Sequence, residues 1–296
     1  MKASHIAFSS LVLAVSLSGC VGKYGFAEQK SAAQLDTSGS PATNPAPSSG
    51  SSPLPSGGAN PSPAASASPV PSPSGTVPFV DLPPASERMY AQSSGSLYSI
   101  DSVTLMPTLI GNFHSSSGRP VDLVLDIAIS LDGVMTGISC RGAIYQIDPA
   151  TAEVFPVLGL SGGNGLTFTS TGKLIASSAN ISVIDLATRD VAVLPQDRNF
   201  TSSGDIVGLP DGFLYESVFG TGGDDLVRIN PTTGKTDRIG SIGFSAVYGL
   251  GYANGKLYGF TEAGQVIQID IASGRGTLAA QTGVSFYGAT TNPVRW

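Results

Sequence analysis

Residues 265–274 read Gln265-Val266-Ile267-Gln268-Ile269-Asp270-Ile271-Ala272-Ser273-Gly274, an alternating hydrophobic strand that runs into an aspartate and then a turn. The same junction of isoleucine with an acid-type residue occurs at Ile100-Asp101, Ile147-Asp148, Ile184-Asp185 and Ile229-Asn230. Successive acid-type positions lie 47, 37, 45 and 40 residues apart. A period in that range, with several short strands per unit, marks a β-propeller: one unit cannot bury its own apolar faces and must stack on its neighbours.

Four strands are legible in the unit around this stretch. A small-residue strand over 246–251 is followed by the turn Ala253-Asn254-Gly255 and an alternating aromatic strand over 256–261. The strand over 265–271 and a fourth over 276–281 complete the unit, with period-two patterning between turn residues. Leu131-Asp132-Gly133, Ser170-Thr171-Gly172 and Pro210-Asp211-Gly212 repeat the first turn, with glycine where a tight connection needs positive φ.

The ends predict how the units close. The first unit begins at Met89-Tyr90, which matches the second strand of the template, whereas 285–291 at the other end matches the first strand. A ring whose last strand completes the first blade satisfies both and removes exposed sheet edges. The expected fold is therefore all-β, a five-bladed β-propeller over residues 81–296 closed by the C-terminal strand.

The second-strand phrases Gly255-Lys256-Leu257-Tyr258 and Gly212-Phe213-Leu214-Tyr215 resemble those of streptogramin-lyase, SMP-30 and quinoprotein-like propeller repeats, a likeness that covers residues 86–293. It implies the fold and no particular activity, because these families share the phrase whatever they bind or catalyse.

The N-terminus predicts an address. Lys2 and the apolar run over 6–17 have signal-peptide form and are too short for a permanent membrane span. The run ends in Leu17-Ser18-Gly19-Cys20, which resembles the lipobox of bacterial lipoproteins. The resemblance implies a signal peptide over 1–19 and a Cys20 that carries acyl chains such as palmitate. It also implies attachment to the bacterial cell envelope, with Val21 favouring the outer membrane. From Ser31 to Pro78 the chain is dominated by Ser, Pro, Gly, Ala and Thr, with few large apolar residues and Asp36 its only charge. Such a segment cannot offset its ordering entropy, so residues 20–80 are expected to be a disordered linker. Its end-to-end distance would be about 40 Å as a flexible coil. Cys140, the one further cysteine, is expected to be a packing residue; Arg141 beside it would lower a thiol pKa.

From Asp81 onward 19 acidic residues face 12 basic ones, leaving a net charge of −7. That balance argues against nucleic acid as a partner and against a basic membrane-binding face.

Candidate ligand groups come from the starts of the inner strands: Asp126, Asn164, Asp205, Tyr248 and Tyr287. They are expected to converge on one channel mouth, either holding a divalent cation or polar ligand through oxygen atoms or lining a water-filled channel. No Asp-x-Asp-x-Asp-Gly calcium loop is present, so the sequence assigns no metal ligands and no cofactor beyond that cation. The same face would carry Arg141, Glu262 and the paired acids Asp224 and Asp225, read either as a pair that binds a cation or a basic partner or as a solvated loop. His114 is the only histidine after the signal peptide, so no histidine cluster and no evident catalytic constellation exists.

The leading expectation is a non-enzymatic binding or scaffolding lipoprotein that meets an envelope protein or glycan through its loop face. It is similar in plan to the propeller lipoprotein that assists barrel assembly, which has more blades. The alternatives are a cation-dependent lyase or lactone hydrolase acting at the channel mouth, and a sugar-binding lectin.

Overall fold

The structure, a computed structural model, describes residues 88–292 apart from 161, 170 and 196–198. The signal-peptide, Cys20 and linker expectations lie outside these residues.

The described chain is all-β, with five four-stranded antiparallel sheets arranged as the blades of a propeller. The first blade contains β1 (Arg88–Gln92), β2 (Ser96–Ile100) and β3 (Pro107–Asn112). The second is β4 (Val124–Ile129), β5 (Met135–Ser139), β6 (Ala143–Ile147) and β7 (Val154–Gly159). The third is β8 (Gly165–Phe168), β9 (Leu174–Ser177), β10 (Ile181–Ile184) and β11 (Val191–Val193). The fourth is β12 (Ser202–Gly208), β13 (Leu214–Phe219), β14 (Asp224–Ile229) and β15 (Thr236–Ser241). The fifth is β16 (Val247–Ala253), β17 (Lys256–Thr261), β18 (Gln265–Ile269) and β19 (Gly276–Gln281). The last strand, β20 (Gly288–Asn292), pairs with β1, so the first blade has the order β20-β1-β2-β3 with Met89 opposite Thr291. The expected closure is thus the observed one.

The repeated isoleucine–acid phrase makes the same turn in all five blades. Each isoleucine ends the third strand of its blade, counted outward from the axis. The acid-type side chain that follows folds back onto the turn. The Oδ1 atoms of Asp101, Asp148, Asp185, Asn230 and Asp270 accept the N–H groups of Val103, Ala150, Ala187, Thr232 and Ala272 at 2.8–3.1 Å. The carbonyl of the same residue accepts the N–H four positions on, at Leu105, Ala152, Arg189, Gly234 and Gly274. Those five residues take φ values of 59°, 63°, 66°, 71° and 77°. Asx-turn chemistry therefore explains why an acid or its amide recurs at this point.

Apolar clusters between neighbouring blades hold the ring together. Tyr90 and Leu97 of the first blade pack with Ile127, Met135 and Ile147 of the second. Phe260 meets Phe286 edge to face at 5.3 Å between the fifth blade and the closing strand. Around the axis, β4, β8, β12, β16 and β20 lie side by side, with β20 returning to β4. They approach backbone to backbone: a methyl on Gly249 would lie 2.7 Å from Ala289 N, and one on Gly165 would lie 2.7 Å from Ile206 N. The small-residue character of the inner strands is the condition for that approach.

Candidate functional site

The inner-strand starts and the turns between second and third strands share one face. Asn164 N donates to Ser177 O at 2.7 Å, Phe219 N to Thr201 O at 3.0 Å, Glu262 N to Ala246 O at 3.0 Å and Tyr287 N to Gln92 O at 2.8 Å. The five Asx turns occupy the other ends of these strands. The loop face therefore carries Arg141, Asn164, Tyr248, Glu262 and Tyr287.

The five expected ligand residues do not form one ring. Ladder register aligns Ile127, Leu166, Ile206, Leu250 and Ala289, which oppose Gly137, Ala176, Glu216, Gly259 and Ala91. Asp126 and Asp205 then share a level with Gly165, Gly249 and Gly288. Asn164, Tyr248 and Tyr287 stand one residue earlier, level with Leu125 and Gly204. A slip of one residue in a strand reverses side-chain direction, so two layers result instead of one.

The deeper layer is polar and closed to solvent. Asp126 and Asp205 are both 0% exposed. Asp126 Oδ2 accepts Leu166 N at 2.5 Å from the next blade, and Asp205 accepts Ile206 N on Oδ1 and Leu250 N on Oδ2, each at 2.6 Å. Burial drives both carboxyls above the ordinary carboxylate range. The facing carboxyl of Asp205 adds to the rise at Asp126. Gln92 and Ser177, also 0% exposed, belong to this level, because Gln92 opposes Gly288 and Ser177 opposes Gly165. A methyl on Gly288 would overlap Asp126 Oδ1 and lie 2.5 Å from Gln92 Nε2, so those two groups meet beside the same glycine. Both polar atoms of Gln92, together with Asp126 Oδ1 and Ser177 Oγ, have no hydrogen-bond partner.

The outer layer is half-buried. The rings of Tyr248 and Tyr287 are 6.0 Å apart and inclined at 49°. Burial, then the charges of Glu262 and Asp224, push the Tyr248 phenol up to about 12, and burial with Glu262 raises Tyr287. Asn164 Nδ2 donates to Ser202 Oγ at 3.3 Å.

Asp224 and Asp225 are neither a solvated loop nor an exposed pair. They open β14 at 4% and 7% exposure. Asp224 Oδ2 accepts Val247 N at 2.7 Å from the next blade, and burial pushes its carboxyl up to about 6. Asp225 is held by Arg238 through Nε at 2.7 Å and Nη2 at 2.9 Å. Each acid thus has a structural partner. Arg141 makes only a long, exposed pair with Asp122 at 3.6 Å, which contributes little. His114 lies where the outer strands of the first two blades meet: it bridges Glu153, and its Nδ1 is 3.0 Å from Asn112 O. Cys140 is buried, as a packing residue should be, but its sulfur is disulfide-bonded. Among the described residues no group of three or more His, Cys, Asp or Glu side chains is arranged to hold a metal.

The sequence does not single out Gln92 or Ser177. The one signal for Gln92 is a polar residue at the end of the apolar run Met89-Tyr90-Ala91.

A family model described as a repeat of unknown function, DUF6923, matches residues 162–293. No curated protein matches the chain. Among solved structures, the chain is similar to one from a nidogen/laminin complex at 12% identity, covering 71% of this chain and 100% of that one with a TM-score of 0.47. It is similar to TolB from Acinetobacter baumannii at 19% identity and a TM-score of 0.43; the match covers 67% of this chain and 53% of TolB, about half its length. A third similar structure comes from work on the de novo evolutionary emergence of a symmetrical protein, at 13% identity, 71% and 100% coverage and a TM-score of 0.48.

Proposed function

We propose that the chain is an envelope lipoprotein: Cys20 carries the membrane anchor, residues 21–80 form the tether, and the propeller head binds a protein or glycan partner through its loop face. The single observation that carries the binding reading is the asymmetry between the two ends of the propeller. One end is occupied by five equivalent Asx turns, whose aspartate or asparagine side chains are consumed by their own backbone amides. The other carries unlike residues at equivalent positions, Leu125, Asn164, Gly204, Tyr248 and Tyr287, with Glu262 beside the two tyrosines. Irregular, half-buried aromatic and polar groups on a rigid frame suit recognition better than a repeated turn does.

The anchor reading rests on the order of apolar run, small residues and cysteine at the N-terminus. The chain contains two cysteines, so a lipid thioether on Cys20 and an intrachain disulfide exclude one another. In the anchored protein any bridge made by Cys140 is to a group other than Cys20. Fractionation tests the anchor: Cys20→Ala should move the protein from the membrane to the soluble fraction, and retention of the variant would contradict it. Affinity capture from envelope extracts tests the face. The double variant Tyr248→Ala/Tyr287→Ala should lose the partners that wild type retains, while substitutions in the opposite turns leave them bound.

A further inference from the structure

We propose that the propeller axis is a binding site for one hard divalent cation of the calcium class, held by Asp126 Oδ1, the amide oxygen of Gln92 and the carboxylate of Asp205. This goes beyond the loop-face reading and does not depend on it. Two carboxyl groups face one another at full burial, and the ion pairs found among the described residues involve neither of them. A buried carboxylate needs a compensating charge or proton.

The backbone amides of Leu166, Ile206 and Leu250 satisfy three of the four carboxyl oxygens. The fourth, Asp126 Oδ1, is left over beside a side-chain amide that is itself fully buried and without a partner at either end. Turning the Gln92 amide by 180° about its last bond exchanges Nε2 for Oε1 and brings two oxygens to the same side of Gly288.

Carboxylate and amide oxygens are the donor types that hard cations take, and calcium tolerates an irregular set completed by water, whereas magnesium demands an octahedron. A divalent ion also balances two ionised carboxylates.

Elemental analysis and thermal denaturation of the full chain, with calcium chloride, magnesium chloride and chelator as probes, test the assignment. The expected result is about one calcium per chain and a Tm raised roughly 5–10 °C at a hundredfold excess over Kd. Gln92→Leu, which keeps the shape and removes the donor oxygen, should shrink the calcium-dependent rise without needing to match wild-type stability. A Tm indifferent to calcium, magnesium and chelator, with no bound metal, would overturn the proposal and leave a shared proton between the carboxyls. A response to magnesium and not to calcium would overturn the calcium-class assignment. Neither result bears on membrane attachment through Cys20.

Discussion

Asp205 Oδ2 accepts the backbone N–H of Leu250 at 2.6 Å, across the boundary between the fourth and fifth blades. The same device recurs around the axis. Asp126 takes Leu166 N, Thr167 Oγ1 takes Gly208 N at 3.3 Å, Asp224 takes Val247 N, and Thr291 Oγ1 takes Tyr252 N at 2.7 Å. Strand ladders run within blades and stop at their boundaries. Side-chain acceptors on one blade therefore satisfy inner-strand amides of the next, beside the apolar clusters.

Thr291→Val should accordingly cost about 1–2 kcal/mol, because it leaves the Tyr252 amide without its acceptor at nearly unchanged volume. Urea unfolding of the head checks this. A change below a few tenths of a kcal/mol would show that the amide finds another partner.

Asp224 makes stability depend on pH in a direction opposite to that of most paired acids. Its folded-state pKa of about 6 lies above the unfolded value of 3.8, so the folded state binds the proton more tightly. Its contribution is fully present below pH 3.8 and is lost as pH rises through 6. Asp185 runs the other way, held down to about 2 by the Lys173 ammonium, and its contribution fades as pH falls. The difference between wild type and Asp224→Asn isolates the first effect. Between pH 5 and 7.5 wild type should lose about 1.4 kcal/mol more than the variant, read from urea midpoints.

Arg189 occupies the left-handed position of the third-blade Asx turn at φ 66°, where the fourth and fifth blades use Gly234 and Gly274. Its side chain is exposed. Arg189→Gly should therefore stabilise the head by up to about 1 kcal/mol, since the non-glycine residue pays a steric penalty there. Gly274→Ala should do the reverse and more, because its methyl would lie 2.8 Å from Gly240 O. Thermal melts of the two variants should shift in opposite directions.

Closure by β20 predicts an all-or-none loss on truncation. Removing residues 285–296 strips the inner strand from the first blade and Phe286 from its contact with Phe260. The truncated head should lack a cooperative melt. A cooperative transition near the wild-type Tm would show that the ring does not need its last strand.

The five blades and their closure were legible in the sequence because the Asx turn leaves a visible mark. An isoleucine ends the strand, an acid or amide caps the turn, and the interval between such pairs is the blade. The expected all-β propeller is the observed fold. The candidate site was legible only in part. Inner strands are built from small residues so that backbones can touch, and Gly165, Gly249 and Gly288 therefore give no phase to align on. Asp126 and Asp205 were matched to the residues before those glycines, which merged two layers into one. Asp224 and Asp225 follow the glycine-rich run 220–223 and read as loop residues, whereas the strand begins at Asp224 itself. Gln92 carried only the weak mark of a polar residue ending an apolar run, because its surroundings include a glycine on a strand about 200 residues away in sequence.

The central claim is an anchored propeller, and the mass of the mature N-terminal peptide tests it most directly. Protein extracted from its native membrane should yield a first residue, Cys20, carrying a diacylglyceryl thioether, with Cys140 recovered outside any bridge to Cys20. A peptide in which Cys20 is unmodified, or joined by a disulfide to Cys140, would contradict the account.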